Sequence, residues 1–512
     1  MADKKFGSSA SSSYYSPDAA VGVGASSDEW NRLKVFRDTI LLASEALSKD
    51  PNNVKELSRR AISHLALSQG EEALSDLKIL LVKDPERKSR WIAEVKKAAT
   101  LCLSSSVKSG DCVKVTDLLQ SGADIHFKDS EGASPVVSAS FQGYLNIVNL
   151  LLTKGANIHD KDKKDFNSLM WASQAGHLNV VNLLLTKGAN IHDKECKFGF
   201  SPLIIASLEG HSNVVELLLT KGANIRDKDK GGRSSLIMAS QLGHLKVVEL
   251  LLSRGANVHQ KDKENRTSLI LASQQGYLNV VNLLLTNEAN IHETDSNGAT
   301  SLLVASQKGQ LNVVELLLFK GANIHHKDKA GVSSLFTASI HGHVHVIACL
   351  LSKGANIHEK NGVDCTTSFF TASYHGRADV VDFLLSKGAN INDRDGDGRS
   401  PLFAASVQGH LNVVELLLAK GANIHSKTKY GTSSLMIASQ ENHLSVIELL
   451  LSRGANIHDK DNDGHSSFTL AKSNKIKGIL RKWPLYMSIL VFQKLLVYGA
   501  LFECLEDLRQ YL

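Results

Sequence analysis

The feature that most constrains this chain is a short phrase that returns every 33 or 34 residues. The string Gly-Ala-(Asn or Asp)-(Ile or Val) recurs from Gly122 to Gly454, and Glu288 takes the glycine's place in one copy. The glycines that open the phrase are Gly122, Gly155, Gly188, Gly222, Gly255, Gly321, Gly354, Gly388, Gly421 and Gly454. Such regular spacing excludes chance, and a period of this length indicates a solenoid of stacked units.

Each unit has the same order of elements. A polar Asp-x-x-Gly tip suits a tight reversal of the chain, and a short apolar stretch follows it. A Gly-His turn then leads to a second stretch such as 311–318, where Val and Leu recur at helical spacing. A glycine closes that second helix. Because neither helix can bury its apolar face within one unit, we expect neighbouring units to share a continuous core.

These residues resemble the ankyrin repeat, whose pattern joins an Asp-x-x-Gly tip, a Thr-Pro-Leu-His helix start and a Gly-His turn. The resemblance covers about 98–482, with ten full repeats at 129–460 between partial opening and closing units. It implies an all-α ankyrin-repeat solenoid of helix-turn-helix units with hairpin tips. It also implies a non-catalytic scaffold or adaptor that binds proteins through its concave face and tips.

Two departures from the family pattern concern the first helix of every repeat. The second of two consecutive alanines is Ser in all ten repeats, and the family's His is apolar, which favours packing over hydrogen bonding between units. The apolar replacements are Val137, Met170, Ile204, Ile237, Ile270, Leu303, Phe336, Phe370, Phe403 and Met436.

The segments that flank the repeats have other patterns. Residues 1–27 are Ser-rich and predict a disordered tail, whereas 28–97 predicts helices without the repeat phrase. Within the latter, 54–85 resembles a tetratricopeptide unit, with Ala73 and Pro85 at that family's small-residue and proline positions. Residues 483–512 break the period, and we expect a helical C-terminal cap there. Two alternatives stay open for 483–512, a tail anchor in a membrane and a helix that docks a ubiquitin ligase.

Composition limits the partners and the compartment. With 58 Lys and Arg against 52 Asp and Glu, the net charge of +6 is too dilute to indicate nucleic-acid binding. The six cysteines form no Cys-x-x-Cys pair and the N-terminus has no apolar signal region. We therefore expect reduced thiols and a cytoplasmic protein, with the nucleus as a second compartment. The expected partners are proteins, without nucleic acid or membrane, and the expected state is a monomer.

Motifs for catalysis and cofactors are missing from the sequence. It contains no phosphate-binding loop, nucleophile elbow, zinc-protease motif or protein-kinase signature. We therefore expect no enzyme activity and no cofactor.

The histidines and two acidic tips are the candidates for metal binding. Nine histidines follow Ala-(Asn or Asp)-(Ile or Val) and six occupy the Gly-His turn, but stacked helices lie about 8–10 Å apart, too far to share an ion. We expect each His to cap or hydrogen-bond its local turn, including the cluster His341, His343 and His345. The tips after Asp393 and Asp459 imitate a calcium loop without its final carboxylate, so we predict no metal.

Positions that vary between repeats predict the partner surface. Aromatic residues gather in the first three repeats and two arginines follow them; since aromatics and Arg are common interface anchors, we predict an aromatic-then-basic strip. It suits an extended segment with apolar anchors and acidic flanks. The candidates are Phe141, Phe166, Trp171, Phe198, Phe200, Arg233 and Arg266, with Tyr374, His375 and Arg399 further along. Alternatively, several of the rings pack between tips, and Trp171 is then the first candidate for the core.

Overall fold

The structure, a computed structural model, describes residues 27–483. These residues form two compact units that divide between Ala223 and Asn224. The predicted tail at 1–27 and the predicted segment at 483–512 lie outside the described residues, apart from Ser27 and Trp483. No helix within the described range is both long enough and apolar enough to cross a membrane.

The first unit opens with helices that pack in chain order. They are α1 (Ser27–Lys49), α2 (Val54–Ala66), α3 (Gly70–Lys83) and, after a 3-10 turn at Pro85–Arg87, α4 (Lys88–Ser109). Their shared core includes Leu57, Leu77 and Trp91. Gly70 lets α3 approach α4 closely, because a Cβ there would lie 2.7 Å from Cys102 Sγ. The boundary predicted between 97 and 98 falls inside α4, so one continuous helix belongs to both regions.

Helix pairs follow in the same unit. The end of α4 packs against α5 (Cys112–Gln120), and three pairs that we call repeats 1 to 3 stack after it. They are α6 (Pro135–Gln142) with α7 (Leu145–Thr153), α8 (Ser168–Ala175) with α9 (Leu178–Thr186), and α10 (Pro202–Glu209) with α11 (Ser212–Thr220). First helices contact first helices and second helices contact second helices, as a solenoid requires.

The second unit continues the pattern with repeats 4 to 10. Each repeat is again one helix pair, and the unit closes with a short helix and a helical stretch at 474–483. The pairs are α12 (Ser235–Leu242) with α13 (Leu245–Ser253), α14 (Ser268–Gln275) with α15 (Leu278–Thr286), α16 (Ser301–Lys308) with α17 (Leu311–Phe319), α18 (Ser334–His341) with α19 (Val344–Ser352), α20 (Ser368–Tyr374) with α21 (Ala378–Ser386), α22 (Pro401–Gln408) with α23 (Leu411–Ala419), and α24 (Ser434–Gln440) with α25 (Leu444–Ser452); the short helix is α26 (Ser467–Leu470).

The core repeats with the sequence. Each second helix buries a Val-Val-x-x-Leu pattern or a close variant, such as Val280, Val281 and Leu284 in α15. The predicted packing of the apolar replacements is confirmed, since all ten are buried. The Ser column is also fully buried. In repeat 8 the Ser373 hydroxyl donates to the Phe369 carbonyl at 3.0 Å, which satisfies a polar group inside the core.

Each tip is a reversal held closed by a side-chain oxygen of the tip itself, which belongs to an acidic residue except at Asn361 and Thr428. In repeat 5, Asp262 Oδ1 accepts the backbone N–H groups of Glu264 and Arg266 at 2.9 and 2.8 Å. Asp395 and Asp461 act in the same way in the two calcium-like strings. The carboxylates in those strings therefore have a structural role as turn caps.

Two tips are one residue longer than the others. In the tip of repeat 3, Glu195 replaces Asp, and its longer side chain accepts backbone N–H groups from Lys197, Phe198 and Phe200. In the tip of repeat 8, Asn361 accepts from Asp364 and Thr366. The extra residue adds Phe198 to the surface of the first tip and Asp364 to the surface of the second.

The histidines of the Gly-His turns link neighbouring repeats, which corrects the expectation that they act locally. His177 Nε2 donates to the Phe141 carbonyl at 3.0 Å, and His443 Nε2 donates to the Val407 carbonyl at 2.8 Å. The ring needs the glycine of the preceding repeat, because a Cβ on Gly409 would lie 2.4 Å from His443 Nδ1. These turns therefore supply a hydrogen-bonded ladder within each unit.

The histidines after Ala-Asn-Ile do not cap their turns either. The Asn two residues earlier does so, for example Asn290 Oδ1, which accepts the backbone N–H of His292 at 3.0 Å. The expectation of histidine capping is therefore wrong for this column as well, since asparagine side chains bond readily to backbone two residues on.

Candidate functional site

Three of the predicted aromatic residues form one contact group in repeats 1 and 2. The Trp171 ring lies 4.9 Å from the Phe141 ring and 5.0 Å from the Phe166 ring, measured between centroids. Its Nε1–H donates to Asp162 Oδ2 at 2.9 Å, and Lys164 Nζ lies 5.5 Å from its centroid. Trp171 is partly exposed, so the interpretation that it belongs to the core is wrong. The ring packs against the tip of repeat 2 and the end of α6.

The other two aromatic candidates lie on the long tip of repeat 3. Phe198 and Phe200 stack with their centroids 5.4 Å apart, and Lys197 Nζ lies 4.9 Å from the Phe198 ring. Phe198 is 41% exposed, because the extra residue of this tip carries it outward. The Phe198 ring is therefore accessible on a tip whose backbone is held by Glu195.

The tip arginines make ion pairs with their own tips. Arg233, Arg266 and Arg399 each contact the aspartate four residues earlier, at 2.7, 2.8 and 2.5 Å. These aspartates have almost no exposed side-chain surface, so each arginine neutralises a buried charge. Much of the positive charge that the predicted strip would offer to acidic flanks is therefore balanced within the tips.

A groove in repeats 7 to 9 contains the remaining candidates. Its volume is about 380 Å³, and Tyr374, His375 and Arg399 all line it. The floor consists of Phe336, Phe370 and Phe403, three of the apolar replacements at the family's His position. Tyr374 is 39% exposed at the groove's edge, with its ring centroid 5.2 Å from that of His375. The structure therefore brings together three candidates that the sequence offered only as separate positions.

The tip side of this groove is polar. Asn361, Asp364 and Arg399 line it, and burial opposes the charge on Arg399. The hydrogen bond to Asp395 and the nearby carboxylates of Asp397 and Asp364 nevertheless raise the pKa of Arg399 overall, so the guanidinium stays charged. At the other side, His375 Nδ1 donates to the Thr371 carbonyl at 3.0 Å.

Several residues of the groove were not predicted as site residues. Asp364 is one, and the floor phenylalanines were assigned only to packing. The signal was present in the helix-end positions, where Ile340, Tyr374 and Val407 replace the glutamine found in repeats 4 to 6.

Potential metal ligands come close together at one tip. Among the described residues, Asp461, Asp463 and His465 have ligand atoms within 4.8 Å of one another. Asp461 Oδ1 already accepts two backbone N–H groups, which identifies it as a turn cap. His341 and His343 each use one ring nitrogen to bond a backbone carbonyl, of Thr337 and Gln307 respectively.

Comparisons with known proteins agree with the repeat architecture. A family model described as ankyrin repeats in three copies matches overlapping stretches from 101 to 461, more than half of the chain. Among solved structures, 496 chains match. One is the ankyrin repeat domain of human ASB11, which is 26% identical over 43% of this chain and 98% of its own, with a TM-score of 0.40. No curated protein matches this chain.

Proposed function

Because this chain belongs to the ankyrin-repeat family, whose members are protein-interaction domains, we propose that it is a non-catalytic scaffold or adaptor that binds other proteins. We assign the contact surface to the first helices and the tips. Phe198 on the long tip of repeat 3 and the groove of repeats 7 to 9 are its two accessible anchors.

The observation that supports this proposal is the contrast between residues buried by stacking and aromatic residues that remain exposed. The Val and Leu face of each second helix and the apolar replacements are buried by stacking, whereas Phe198 and Tyr374 remain 41% and 39% exposed. Exposed aromatic side chains on a rigid frame are the common anchors of protein interfaces. An ordered array of such positions favours binding over chemistry.

The chemistry of the buried thiol agrees with a non-catalytic function. Burial, together with Glu71 and Glu72, raises the pKa of Cys102 to about 11, although Lys114 opposes this. A thiol with that pKa is protonated at neutral pH and a poor nucleophile. Cys102 packs against Gly70 and has a structural role.

The experiment is affinity capture with the full chain and two variants that replace exposed aromatic residues by alanine. Phe198→Ala together with Tyr374→Ala removes both anchors. Phe319→Ala is the control, because Phe319 is 83% exposed but lies on a second helix. We expect a specific partner to be recovered with the unmodified chain and with Phe319→Ala, but not with the double variant.

Equal recovery with all three proteins would reject the assignment of the surface. Phe166→Ala with Arg233→Glu is a weaker test, since loss of Arg233 leaves Asp229 buried without its partner. A drop in recovery with that variant would mix binding with stability.

We further propose that 28–97 is a tetratricopeptide-like region. Ala61 and Ala73 have no exposed surface, which supports close crossing of α2 and α3, and Pro85 begins the turn after α3. The alternatives for 483–512, docking of a ubiquitin ligase or anchoring in a membrane, lie outside the described residues and stay predictions.

A further inference from the structure

We propose that the groove of repeats 7 to 9 binds a peptide segment of a partner protein that inserts a bulky apolar side chain beside a Lys or Arg. This proposal rests on the protein-binding function proposed above and specifies its ligand.

The groove arises from two substitutions that coincide in the same three repeats. At the position after the family's His, repeats 4 to 6 carry the bulky Met238, Leu271 and Val304. Repeats 7 to 9 carry smaller side chains instead, which leave space above the phenylalanine floor. These smaller residues are Thr337, Thr371 and Ala404.

The second substitution makes the wall of the groove apolar. Three positions further along each first helix, repeats 4 to 6 and 10 carry glutamine, whereas repeats 7 to 9 carry Ile340, Tyr374 and Val407. A groove of about 380 Å³ is at the lower end of the roughly 300–1,000 Å³ range of ligand pockets. That space suits one or two protruding side chains of a peptide.

The charge at the tip side of the groove determines which kind of partner residue fits beside the inserted apolar side chain. Arg399 is engaged by Asp395 and lies 3.4 Å from Asp397, so it offers little net charge. Asp364 is exposed at the rim, and of the carboxylates that act on Arg399 it has the smallest effect. Of the acidic and basic residues that line the groove, Arg399 is paired with Asp395 and Asp364 is exposed, so the tip side favours a basic partner residue.

The position of Asp364 is fixed by the long tip. Its backbone N–H donates to Asn361 Oδ1 at 3.2 Å, and its carbonyl accepts the N–H of Gly396 in the next tip at 3.0 Å. A charge held by two tips discriminates between partners better than one on a mobile loop, because less conformational freedom is lost on binding.

The test uses a phage-displayed library of random peptides selected on the full chain, followed by Kd measurements with labelled synthetic copies of the selected peptides. Thr371→Leu with Tyr374→Gln gives repeat 8 the residues that repeat 5 has at Leu271 and Gln274, so the variant fills the groove with side chains that the fold already accommodates. Gln274→Ala, at the equivalent position of repeat 5, is the matched control.

We expect selected peptides to pair an aromatic or branched aliphatic residue with Lys or Arg. The double variant should weaken their binding about tenfold or more, the effect of losing one buried apolar side chain, and Gln274→Ala should leave it unchanged. Asp364→Lys should shift selection from basic to acidic neighbours, since a rim charge mainly determines which partner is accepted.

Three results would overturn the inference. They are a selection that yields no binder, binders that the groove-filling variant does not weaken, and acidic rather than basic residues beside the apolar one on the unmodified chain. If Phe198→Ala weakens the binding of the selected peptides and the groove-filling variant does not, the peptide-binding role of the groove is rejected while the proposed protein-binding function stands. If affinity capture also fails, the proposed function fails with it.

Discussion

Aromatic side chains gather in two regions, repeats 1 to 3 and repeats 7 to 9, and the two regions differ in what the rings contact. In the first region Trp171 contacts two phenylalanine rings and donates a hydrogen bond to Asp162. In the second, Tyr374 borders a groove that small neighbours leave open. The number of aromatic residues therefore does not locate a binding site, because a ring such as Trp171, which has two ring contacts and a hydrogen bond to its tip, stabilises the fold.

The largest effect that tests this difference concerns Trp171. We expect Trp171→Ala to lower the free energy of unfolding by about 2–3 kcal/mol, less than for a fully buried tryptophan, because two ring contacts and one hydrogen bond are lost. The unfolding midpoint in guanidinium chloride, followed by circular dichroism, measures this.

Tyr374→Ala is the comparison variant, with an expected cost below about 1 kcal/mol, because its ring is 39% exposed. If both variants lower the free energy of unfolding by the same amount, the Trp171 ring does not stabilise the fold more than the Tyr374 ring does.

The fold was predictable because its determinants are local and repeated. The 33-residue period, the glycine after each second helix and the Val-Leu spacing predict the helix pairs without reference to distant residues. The Gly-His ladder was missed for the opposite reason. Its bond joins His443 to a carbonyl 36 residues earlier, and no local pattern states which neighbour a turn residue contacts.

The site was only partly predictable. The sequence identified Tyr374, His375 and Arg399 as variable positions, but a cavity depends on volumes that several repeats leave empty together. Likewise, each tip arginine is paired with the aspartate four residues earlier. The pattern Asp-x-x-Gly-Arg does not state that the two side chains meet, because the pairing depends on how the tip folds back.

A smaller effect is expected at Arg399, which belongs to the second region. Arg399→Ala leaves the buried Asp395 carboxylate with only backbone donors, so we expect a loss of about 1 kcal/mol in the free energy of unfolding. Arg399→Lys keeps the charge and should recover part of it. Urea denaturation of both variants measures this, and an unchanged midpoint for Arg399→Ala would show that the ion pair does not stabilise the tip.

Phe198 should affect stability less still. Its ring contacts Phe200 and Lys197 but is 41% exposed, so Phe198→Ala should change the free energy of unfolding by less than about 0.5 kcal/mol. Recovery of a partner by affinity capture should nevertheless fall. A large loss of stability would show that Phe198, like Trp171, has a structural role in its tip.

The smallest effect is a dependence of stability on pH in repeats 7 to 9. Burial lowers the pKa of His343 and of His410 below 6.5, and neighbouring histidine and arginine side chains lower it further, although each bond to a carbonyl opposes the shift. The neighbours are His341 and Arg377 for His343, and His375, His443 and Arg377 for His410.

Since the folded chain binds these protons less readily than the unfolded chain, the stability is fully present above about pH 6.5 and decreases as the pH falls toward the lowered pKa values. His410→Gln tests this, because Gln310 already occupies the same turn position and bonds the carbonyl of Gln274. The variant should keep its midpoint at neutral pH and lose less of it on acidification than the unmodified chain. An unaltered pH dependence, measured by thermal unfolding between about pH 7 and 5.5, would mean that His410 does not contribute to it.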